Sequence, residues 1–317
     1  MKKKYSYLEK LELISKCKDY FEKSLEKELD LIKVECPLFV KTSSGLQDAL
    51  TGVEKGIKFT KDEEDYEIVH SLAKWKRSAL GKYKFPLYKG ILTEMRAIRK
   101  DEVVDELHSM YVEQWDWEKV IKKEDRTISY LKKIVRKIYK SIQKTSIHLG
   151  GLIELAPKVT FITSQELEDL YPDKTPKERE DEITKKYGTV FIIGIGDKLK
   201  SGIPHDLRSP DYDDWSLDGD LLIYSRVLDS AVEVTSMGIR VDDKSLLSQL
   251  EKVDAMDRIE LPYHQSIIKK ELPLTIGGGI GISRILLLLL GEEHIACIQA
   301  SAWGEKTLSK LRMKKIL

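Results

Sequence analysis

The sequence predicts an α+β fold in which helices flank a mixed, mostly antiparallel sheet. Two segments have the pattern of a hairpin: ILTEMRAIR with HSMYVEQWDW, and DLLIYSRVLDSAVEVTSMGIRV. Amphipathic segments with helical spacing are inserted between the strands. Strands joined by hairpins favour antiparallel pairing, whereas a regular alternation of strand and helix would favour a parallel sheet. The sequence shows no low-complexity linker and no internal repeat, so we expect a single domain over residues 1–317.

The first elements follow from apolar spacing and from one proline. Apolar residues recur at helical spacing over about residues 5–29, which predicts an amphipathic helix. The next segment, LIKVECPLFV, is rich in strand formers but contains Pro37. Proline cannot donate to a central ladder, so this segment belongs at an edge, a strand end or an interface. EIVHSLAKWKRSAL predicts a short strand and a helix, and residues 100–107 form the charged tip of the first hairpin.

The second half of the chain continues the mixture of helices and strands. We expect a long helix over about residues 118–147, and a strand followed by a helix in KVTFITSQELEDLYP, with Ser164 as N-cap. GTVFIIGIG predicts a buried strand, and the second hairpin turns near Asp229. Helices are expected over about residues 242–250 and 257–270. A glycine run then feeds a helix in TIGGGIGISRILLLLL, and HIACIQASAW predicts a final strand.

The composition excludes some classes of protein. The net charge is +1, from 54 basic and 53 acidic residues, which argues against a protein that mainly grips long nucleic acid. The basic start has no continuous apolar stretch behind it, so we expect no secretory signal. The cysteines are three in number and widely spaced, which makes a disulfide framework or a cysteine metal site unexpected. We therefore expect a cytoplasmic protein.

Two segments place an arginine where an anion would suit it. In GGGIGISR the glycines allow a close approach to the backbone, and Arg284 lies in the first turns of a helix, an unfavourable place for a cation without an anion. The alternative is a helix–sheet contact with an exposed arginine. In ILTEMRAIR, Arg99 shares a strand face with Met95 and Ala97, and its planar fork suits a phosphate. The alternative is a salt-bridged hairpin.

Two further segments carry carboxylates. RSPDYDDW holds Asp211, Asp213 and Asp214 almost side by side, which indicates either a solvated turn or a site for a cation or ammonium group. EVTSMGIR supplies Glu233 and Ser236, hard oxygen ligands suited to Mg²⁺ carried by a nucleotide. These two point to opposite faces of a regular strand, so a shared site requires a bulge near Thr235. A half-buried edge strand is the alternative.

The segment HSLAKWKR adds basic residues on a predicted helix. Lys74 and Lys76 are two positions apart and do not share a face, so one can enter a site while the other is solvated. His70 precedes them, and a cap or packing role is the simpler interpretation of it.

Six blocks occur in a fixed order: TSSGLQDALTGVEK, EIVHSLAKWKR, HSMYVEQWDWE, DLRSPDYDDWS, EVTSMGIRVD and TIGGGIGISR. A proline-bearing strand, an arginine-bearing hairpin and a glycine-rich segment ending in arginine resemble the three motifs of class II aminoacyl-tRNA synthetase catalytic domains. More closely, the blocks resemble the ammonia-dependent asparagine synthetase family, the stand-alone relatives of aspartyl- and asparaginyl-tRNA synthetase cores. The resemblance runs from the first helix to the last strand.

The resemblance implies a class II synthetase-like fold, a homodimer and one catalytic domain over residues 1–317. It implies synthesis of asparagine from aspartate, ATP and ammonia through β-aspartyl-AMP, with release of AMP and pyrophosphate. ATP and Mg²⁺ are the implied cofactors, and neither nucleic acid nor a membrane is an implied partner. The chemistry is reasonable, because a carboxylate acylates ammonia poorly until it is joined to AMP. Bringing two anions together requires cations placed beforehand.

The resemblance also assigns residues to ATP. Arg99 would hold the α-phosphate, and Arg284 would hold the triphosphate tail and help to cover the adenine. Tyr111 and Val112 would flank the adenine from the return strand of the hairpin. The implied ligands of nucleotide-bound Mg²⁺ are Asp220, Glu233 and Ser236.

A second set is implied for the other substrates. The aspartate-binding residues would be Lys76, Gln114, Asp116, Asp213, Ser236 and Arg240. Lysine and arginine would hold the α-carboxylate, and the two aspartates and the glutamine would hold the α-ammonium group. Asp48 would bind ammonium and take its proton before attack. The segment between Asp214 and Asp220 is shorter than in the family's pattern, which leaves its conformation open.

Other functions remain possible at this point. One is a synthetase paralogue that transfers an activated amino acid to tRNA or protein, disfavoured by neutral charge and by the lack of a visible anticodon-binding domain. Another is a catalytically inactive module that senses an amino acid or nucleotide, disfavoured because both arginines and the acids for Mg²⁺ are present. Glutamine is disfavoured as the nitrogen donor, because Met1 and Lys2 offer no N-terminal cysteine.

Overall fold

The computed structural model describes residues 5–48, 50, 54–311 and 316–317. Part of the TSSGLQDALTGVEK block therefore lies outside the described residues. The strands are β1 (Leu31–Lys33), β2 (Phe39–Lys41), β3 (Lys58–Lys61), β4 (Glu64–Ile68), β5 (Gly90–Ile98), β6 (Tyr111–Val120), β7 (Thr160–Thr163), β8 (Thr189–Ile193), β9 (Asp213–Ser225), β10 (Ser230–Arg240) and β11 (Thr275–Gly281).

The main sheet has eight strands in the order β1-β5-β6-β11-β10-β9-β8-β7. Its two outermost pairs, β1 with β5 and β7 with β8, are parallel, and the pairs between them are antiparallel. Both predicted hairpins, β5–β6 and β9–β10, are present. A small antiparallel sheet, in the order β2-β4-β3, lies outside the main one. The predicted fold class, a mixed and mostly antiparallel sheet, is therefore confirmed.

The described helices are α1 (Tyr7–Leu29), α2 (Ala73–Lys82), α3 (Ile128–His148), α4 (Ser164–Leu170), α5 (Pro176–Tyr187), α6 (Asp243–Lys252), α7 (Pro262–Ile268), α8 (Ile282–Leu290) and α9 (Glu305–Lys310). Ser6 and Glu9 form a capping box that fixes the start of α1. Within the described part of the chain, no helix has both the length and the hydropathy needed to cross a membrane.

Strand alternation gives β6 one apolar and one polar face. Trp115 and Trp117 are fully buried in the main hydrophobic core, where Phe21 of α1 lies 4.6 Å from the Trp115 ring, measured between centroids. Helices α1 and α3 pack against each other over this face. The intervening residues Gln114 and Asp116 therefore point to the other side of the sheet. That second face carries the polar residues of the neighbouring strands.

Several predicted boundaries are wrong, and each has a local reason. The helix expected over residues 118–147 begins at Ile128, because Thr127 caps it and residues 118–120 complete β6. The N-cap of α4 is Thr163 rather than Ser164, through a capping box with Glu166. The helix expected over residues 257–270 is divided into a 3₁₀ turn and α7, which begins with Pro262 at its first position.

Other differences concern whole elements. HIACIQASAW forms no strand, since it begins with a 3₁₀ turn over Ile295–Cys297. Helices α5 and α9 were not predicted, although Thr175 and Pro176 are a typical helix start. LIKVECPLFV is interrupted around Pro37, so β1 joins the edge of the main sheet and β2 joins the small sheet. The segment between Asp214 and Asp220 belongs to β9.

The glycine run is a central strand of the sheet, β11, between β6 and β10. A Cβ atom at Gly277 would lie 1.9 Å from Glu118 Oε2, and one at Gly279 would lie 2.6 Å from Gln114 Oε1. Both distances are far below any tolerated contact. The glycines thus make room for long polar side chains that reach over β11 from the neighbouring strands.

We expect Gly277→Ala to destabilise the fold by about 1–3 kcal/mol or more, because the new methyl group displaces buried Glu118 and Arg240. The matched control is Gly281→Ala in the same strand, where the nearest atoms lie 3.5 Å away and a cost below about 1 kcal/mol is expected. Urea unfolding of both variants measures the difference. Equal stability of the two variants would contradict our conclusion that Glu118 and Arg240 leave no room for a side chain at Gly277.

Candidate active site

A cavity of about 370 Å³ lies over the polar face of the main sheet. Its walls come from β6, β9, β10 and β11, from the start of α2 and α8, and from the loops around them. The predicted site residues that line it are Asp48, Lys76, Arg99, Tyr111, Val112, Gln114, Asp116, Asp213, Glu233, Ser236, Arg240 and Arg284. Asp220 does not line the cavity, but it is bonded to Arg208, which does. The structure thus brings the predicted residues together around one space.

Arg240 occupies one end of this space and is held by two carboxylates. Its guanidinium donates to both oxygens of Glu118, at 2.7 to 3.1 Å, and to Asp213. Glu118 also accepts a hydrogen bond of 2.6 Å from Thr275, and Arg240 lies over the ring of Tyr212. Arg240 is 2% exposed and Glu118 is fully buried. Burial lowers the pKa of Arg240, but the two carboxylates raise it well above its ordinary value, so this cation stays charged.

Lys76 forms a second buried ion pair beside the first. Its ammonium donates to Asp116 Oδ1 at 2.9 Å and to the Gly278 carbonyl at 3.1 Å. The other oxygen of Asp116, Oδ2, is buried and accepts no hydrogen bond from any residue that the structure describes. A buried carboxylate oxygen without a donor is costly, roughly 1–3 kcal/mol or more. This end of the cavity therefore offers both signs of charge and one unsatisfied acceptor.

The predicted bulge in β10 is confirmed. The pairing with β9 shifts register between Glu233 and Thr235, which turns Glu233 to the same side as Ser236. Ser236 donates to Glu233 Oε1 at 3.1 Å, and it pairs in register with Asp220 on β9. Two carboxylates and one hydroxyl thus lie close together, as the sequence required for a shared site.

Asp220 and Glu233 differ in their ionisation. Burial and, to a smaller extent, the nearby Glu233 raise the pKa of Asp220 to about 6, although Arg208 opposes the change with two hydrogen bonds of 2.7 and 2.8 Å. Burial also acts on Glu233, but the guanidinium groups of Arg284 and Arg208 lower its pKa overall. Among the described residues no group of three or more His, Cys, Asp or Glu residues is arranged to hold a metal ion. Two carboxylates and a hydroxyl instead fit a Mg²⁺ ion that arrives with phosphate ligands of its own.

Arg99 and Arg284 retain unused donors. Arg99 donates to the carbonyl of His70 at 3.3 Å, while its buried Nε has no acceptor among the described residues. Arg284 donates to the backbone carbonyl of Glu233 at 3.0 Å and contacts His108 Nε2 at 3.0 Å. A guanidinium group carries five N–H donors, so both side chains can still hold an anion.

Three neighbouring aspartates do not form one cation site. Asp211 pairs with Lys74, Asp213 with Arg240, and Asp214 with Arg126. Each carboxylate is thus neutralised separately, and the interpretation of this cluster as a solvated turn is wrong. Lys74 is also 3% exposed, so the expectation that one of the two lysines of α2 is solvated is wrong as well.

Sequence reasoning missed three residues of the cavity or its floor. Glu118 was hidden by the helix wrongly predicted from residue 118, although it continues the alternation of Gln114 and Asp116 on one strand face. Arg208 opens the acidic stretch and was passed over in favour of the aspartates that follow it. His108, which contacts Arg284, lies in the hairpin tip and had no distinguishing pattern around it.

The chain matches the family model described as aspartate–ammonia ligase over residues 8–315. The aspartate–ammonia ligase of Clostridium tetani is 52% identical over 303 residues, covering 93% of this chain and 89% of that protein. The aspartate–ammonia ligase of Ruminiclostridium cellulolyticum is 51% identical over 311 residues, covering 96% and 93%. These alignments span nearly the full length of both partners.

A solved structure supports the fold. The asparaginyl-tRNA synthetase of Entamoeba histolytica in complex with asparaginyl-adenylate superposes with a TM-score of 0.63 at 16% identity, covering 90% of this chain and 65% of that chain. At that identity the likeness shows a shared class II synthetase fold alone. The family model and the close relatives go further, and they agree with the six sequence blocks: the chain belongs to the aspartate–ammonia ligase family.

Proposed function

We propose that the protein makes asparagine from aspartate, ammonia and ATP through β-aspartyl-AMP, releasing AMP and pyrophosphate. The observation that carries this proposal is the division of one cavity into two chemically different parts. One part holds two arginines with unused donors beside the acids Asp220 and Glu233. The other holds paired charges of both signs. The family to which the chain belongs supports the choice of aspartate and ammonia.

The first part of the cavity suits ATP. Arg99 directly follows β5, and its free donors suit the α-phosphate at which a carboxylate oxygen attacks. Arg284 suits the triphosphate tail, with Tyr111 and Val112 beside the base. Nucleotide-bound Mg²⁺ would be held by Asp220, Glu233 and Ser236 and would neutralise phosphate charge. Ser236 lies at the boundary of the two parts and would serve both.

The second part suits the zwitterionic end of aspartate. An α-carboxylate needs cations, and Lys76 and Arg240 are fixed there in buried pairs. An α-ammonium group needs acceptors, and Asp116 Oδ2 has no donor among the described residues. Gln114 and Asp213 line the same region. Holding this end firmly would present the β-carboxylate to the α-phosphate, which is the positioning that a reaction between two anions requires.

A homodimer stays a prediction of the resemblance, and a cytoplasmic location stays a prediction of the sequence composition. Large apolar side chains remain exposed near the edge of the main sheet and in the small sheet, including Ile32, Leu38 and Phe39. Such a group of residues is compatible with a surface covered by a second subunit.

The decisive assay incubates the protein with aspartate, ATP and ammonium and measures AMP, pyrophosphate and asparagine, with and without tRNA. We expect the three products in equal amounts and no effect of tRNA. ADP as the nucleotide product would overturn the adenylation route. A strict tRNA requirement would favour an aminoacyl-transferring paralogue, and no turnover with intact nucleotide binding would favour a sensing module.

We expect Arg99→Ala to lower aspartate-dependent ATP–pyrophosphate exchange by about 100- to 1,000-fold, the usual effect of removing one donor to a developing charge. The matched control is Arg96→Ala, which removes the same side chain from the exposed face of the same strand. Circular dichroism of both variants verifies the fold. Similar exchange rates for the two variants would refute the phosphate role of Arg99.

We expect Glu233→Gln to raise the Mg²⁺ concentration for half-maximal pyrophosphate release by about 10-fold or more, because one of two acidic oxygen ligands is lost. Asp229→Asn, at the exposed turn of the same hairpin, is the control and should leave that concentration unchanged. A titration with Mg²⁺ at fixed ATP measures both. An unaltered Mg²⁺ requirement in Glu233→Gln would show that Glu233 is not a ligand of the metal.

A further inference from the structure

We propose that His70 accepts the proton that ammonium must lose before it attacks, and that a small cavity beside His70 is the ammonium site. This inference rests on the proposed function, and it identifies the residue and the cavity that would serve ammonium in that reaction. His70 lies between β4 and α2, where the sequence alone favoured a cap or packing role. The observations that change this interpretation are its burial, its fixed ring and the space next to it.

Three hydrogen bonds hold His70 in place, although it is only 2% exposed. Its backbone N–H donates to the side-chain carbonyl of Gln47 at 3.1 Å, and its backbone carbonyl accepts from Arg99 at 3.3 Å. Its ring nitrogen Nδ1 lies 3.2 Å from the backbone carbonyl of Asp48. The imidazole is therefore tied to the loop of Asp48, and the backbone of His70 is tied to the arginine proposed for the α-phosphate.

The contact with Asp48 determines which ring nitrogen carries the proton. A backbone carbonyl can only accept, so Nδ1 must be the donor in this contact. In the neutral ring the lone pair is then on Nε2. No residue that the structure describes donates a hydrogen bond to this nitrogen. A buried imidazole with one nitrogen fixed as donor and the other free as acceptor is the arrangement of a general base.

The space next to His70 is a side cavity of about 70 Å³. Since roughly 10–15 Å³ holds one water molecule, it has room for an ammonium ion. Four residues border both this space and the main cavity: Leu50, Glu54, Arg99 and Glu102. The charged groups that face His70 and the side cavity are Asp48, Glu54, Lys55, Arg99, Lys100, Asp101 and Glu102. The side cavity therefore adjoins the main cavity, in which the adenylate would form.

Arg99 would favour release of the proton at this point. A guanidinium group repels a nearby ammonium ion but not neutral ammonia, so it disfavours the protonated nucleophile. Because Arg99 borders both spaces, a nucleophile that moves from the side cavity to the adenylate passes beside it.

Asp48 was the residue that the family resemblance suggested for this proton. Its carboxylate is 99% buried and already accepts two hydrogen bonds, from Leu50 N–H at 2.8 Å and from the Ser71 hydroxyl at 2.6 Å. Both carboxylate oxygens are thus already engaged by groups of the loop and of the segment before α2. In our proposal Asp48 orients the imidazole through its backbone carbonyl, and His70 takes the proton.

The step balances without a further reagent. Ammonium gives one proton to His70 Nε2 and becomes ammonia with a free electron pair. The ammonia nitrogen forms a bond to the β-acyl carbon of the adenylate, and the bond from that carbon to the phosphate oxygen breaks, so AMP leaves with the electron pair. The nitrogen then loses its surplus proton to water, and His70 returns its own proton to water.

The test is His70→Asn in the full chain. Asparagine keeps an amide N–H near the position of Nδ1, so the contact with the Asp48 carbonyl is retained while the Nε2 lone pair is lost. We expect aspartate-dependent ATP–pyrophosphate exchange, which needs no ammonia, to stay within about threefold of the unmodified protein. We expect kcat/KM for ammonium to fall by about 100-fold or more, the usual contribution of a general base.

Two comparisons separate a base from a structural residue. Hydroxylamine is largely unprotonated at neutral pH, so the kcat/KM of His70→Asn for hydroxylamine should fall far less than that for ammonium. The loss with ammonium should also shrink as pH rises and free ammonia increases. Asp48→Asn is the competing variant: a larger loss in ammonium kcat/KM there than in His70→Asn would overturn the proposal.

The outcomes distinguish the two proposals. Absence of aspartate-dependent exchange in the unmodified protein would defeat the proposed function itself. Normal exchange in that protein, with equal losses of exchange and of ammonium kcat/KM in His70→Asn, would make His70 a structural residue. An unchanged kcat/KM for ammonium in His70→Asn would refute the role of His70 as the base and would leave the proposed function intact.

Discussion

The ion pair between Arg240 and Glu118 crosses β11 at a glycine, Gly277, which has no side chain to block it. β11 lies between β6 and β10, and its glycines allow these two long side chains to meet above it. Any Cβ at Gly277 would occupy their place. The pair fixes a cation at the end of the cavity, and the register of three strands must be kept for it to form. Removing one partner of such a buried pair costs about 3–5 kcal/mol, so fold and site depend on the same contact.

Buried charges also fix the position of helix α2 against the rest of the site. It carries three buried cations, Lys74, Lys76 and Arg77, and each one is tied to a different element. Lys74 joins Asp211 to the carbonyl of Gln47, Lys76 joins Asp116 to β11, and Arg77 donates to two backbone carbonyls. Because buried cations need partners, the helix can occupy only one position. The one cation of this helix that borders the cavity, Lys76, is therefore positioned by the folding of α2 itself.

The alternation of side chains along each strand predicted the local geometry of the site well. The face shared by Met95, Ala97 and Arg99 is correct, and so is the bulge that brings Glu233 to Ser236. Both predictions follow from residue positions alone, because successive side chains of a strand point to opposite faces. Partners across the sheet could not be predicted in the same way. The pairing of Arg208 with Asp220, and of Lys74 with Asp211, depends on how distant segments meet. Glu118 was missed because a strand was taken for the start of a helix.

The two parts of the cavity explain how one fold could bind both a zwitterion and a highly charged anion. In the part proposed for aspartate every cation is already neutralised by a carboxylate, so a zwitterion could enter without leaving a net charge buried. In the part proposed for the nucleotide the arginines keep free donors, and an incoming triphosphate would bring the negative charge. Ammonium fits neither environment, since it is a cation that must become neutral before it reacts. In our proposal the separate space beside His70 and Arg99 would give it a place to lose its proton.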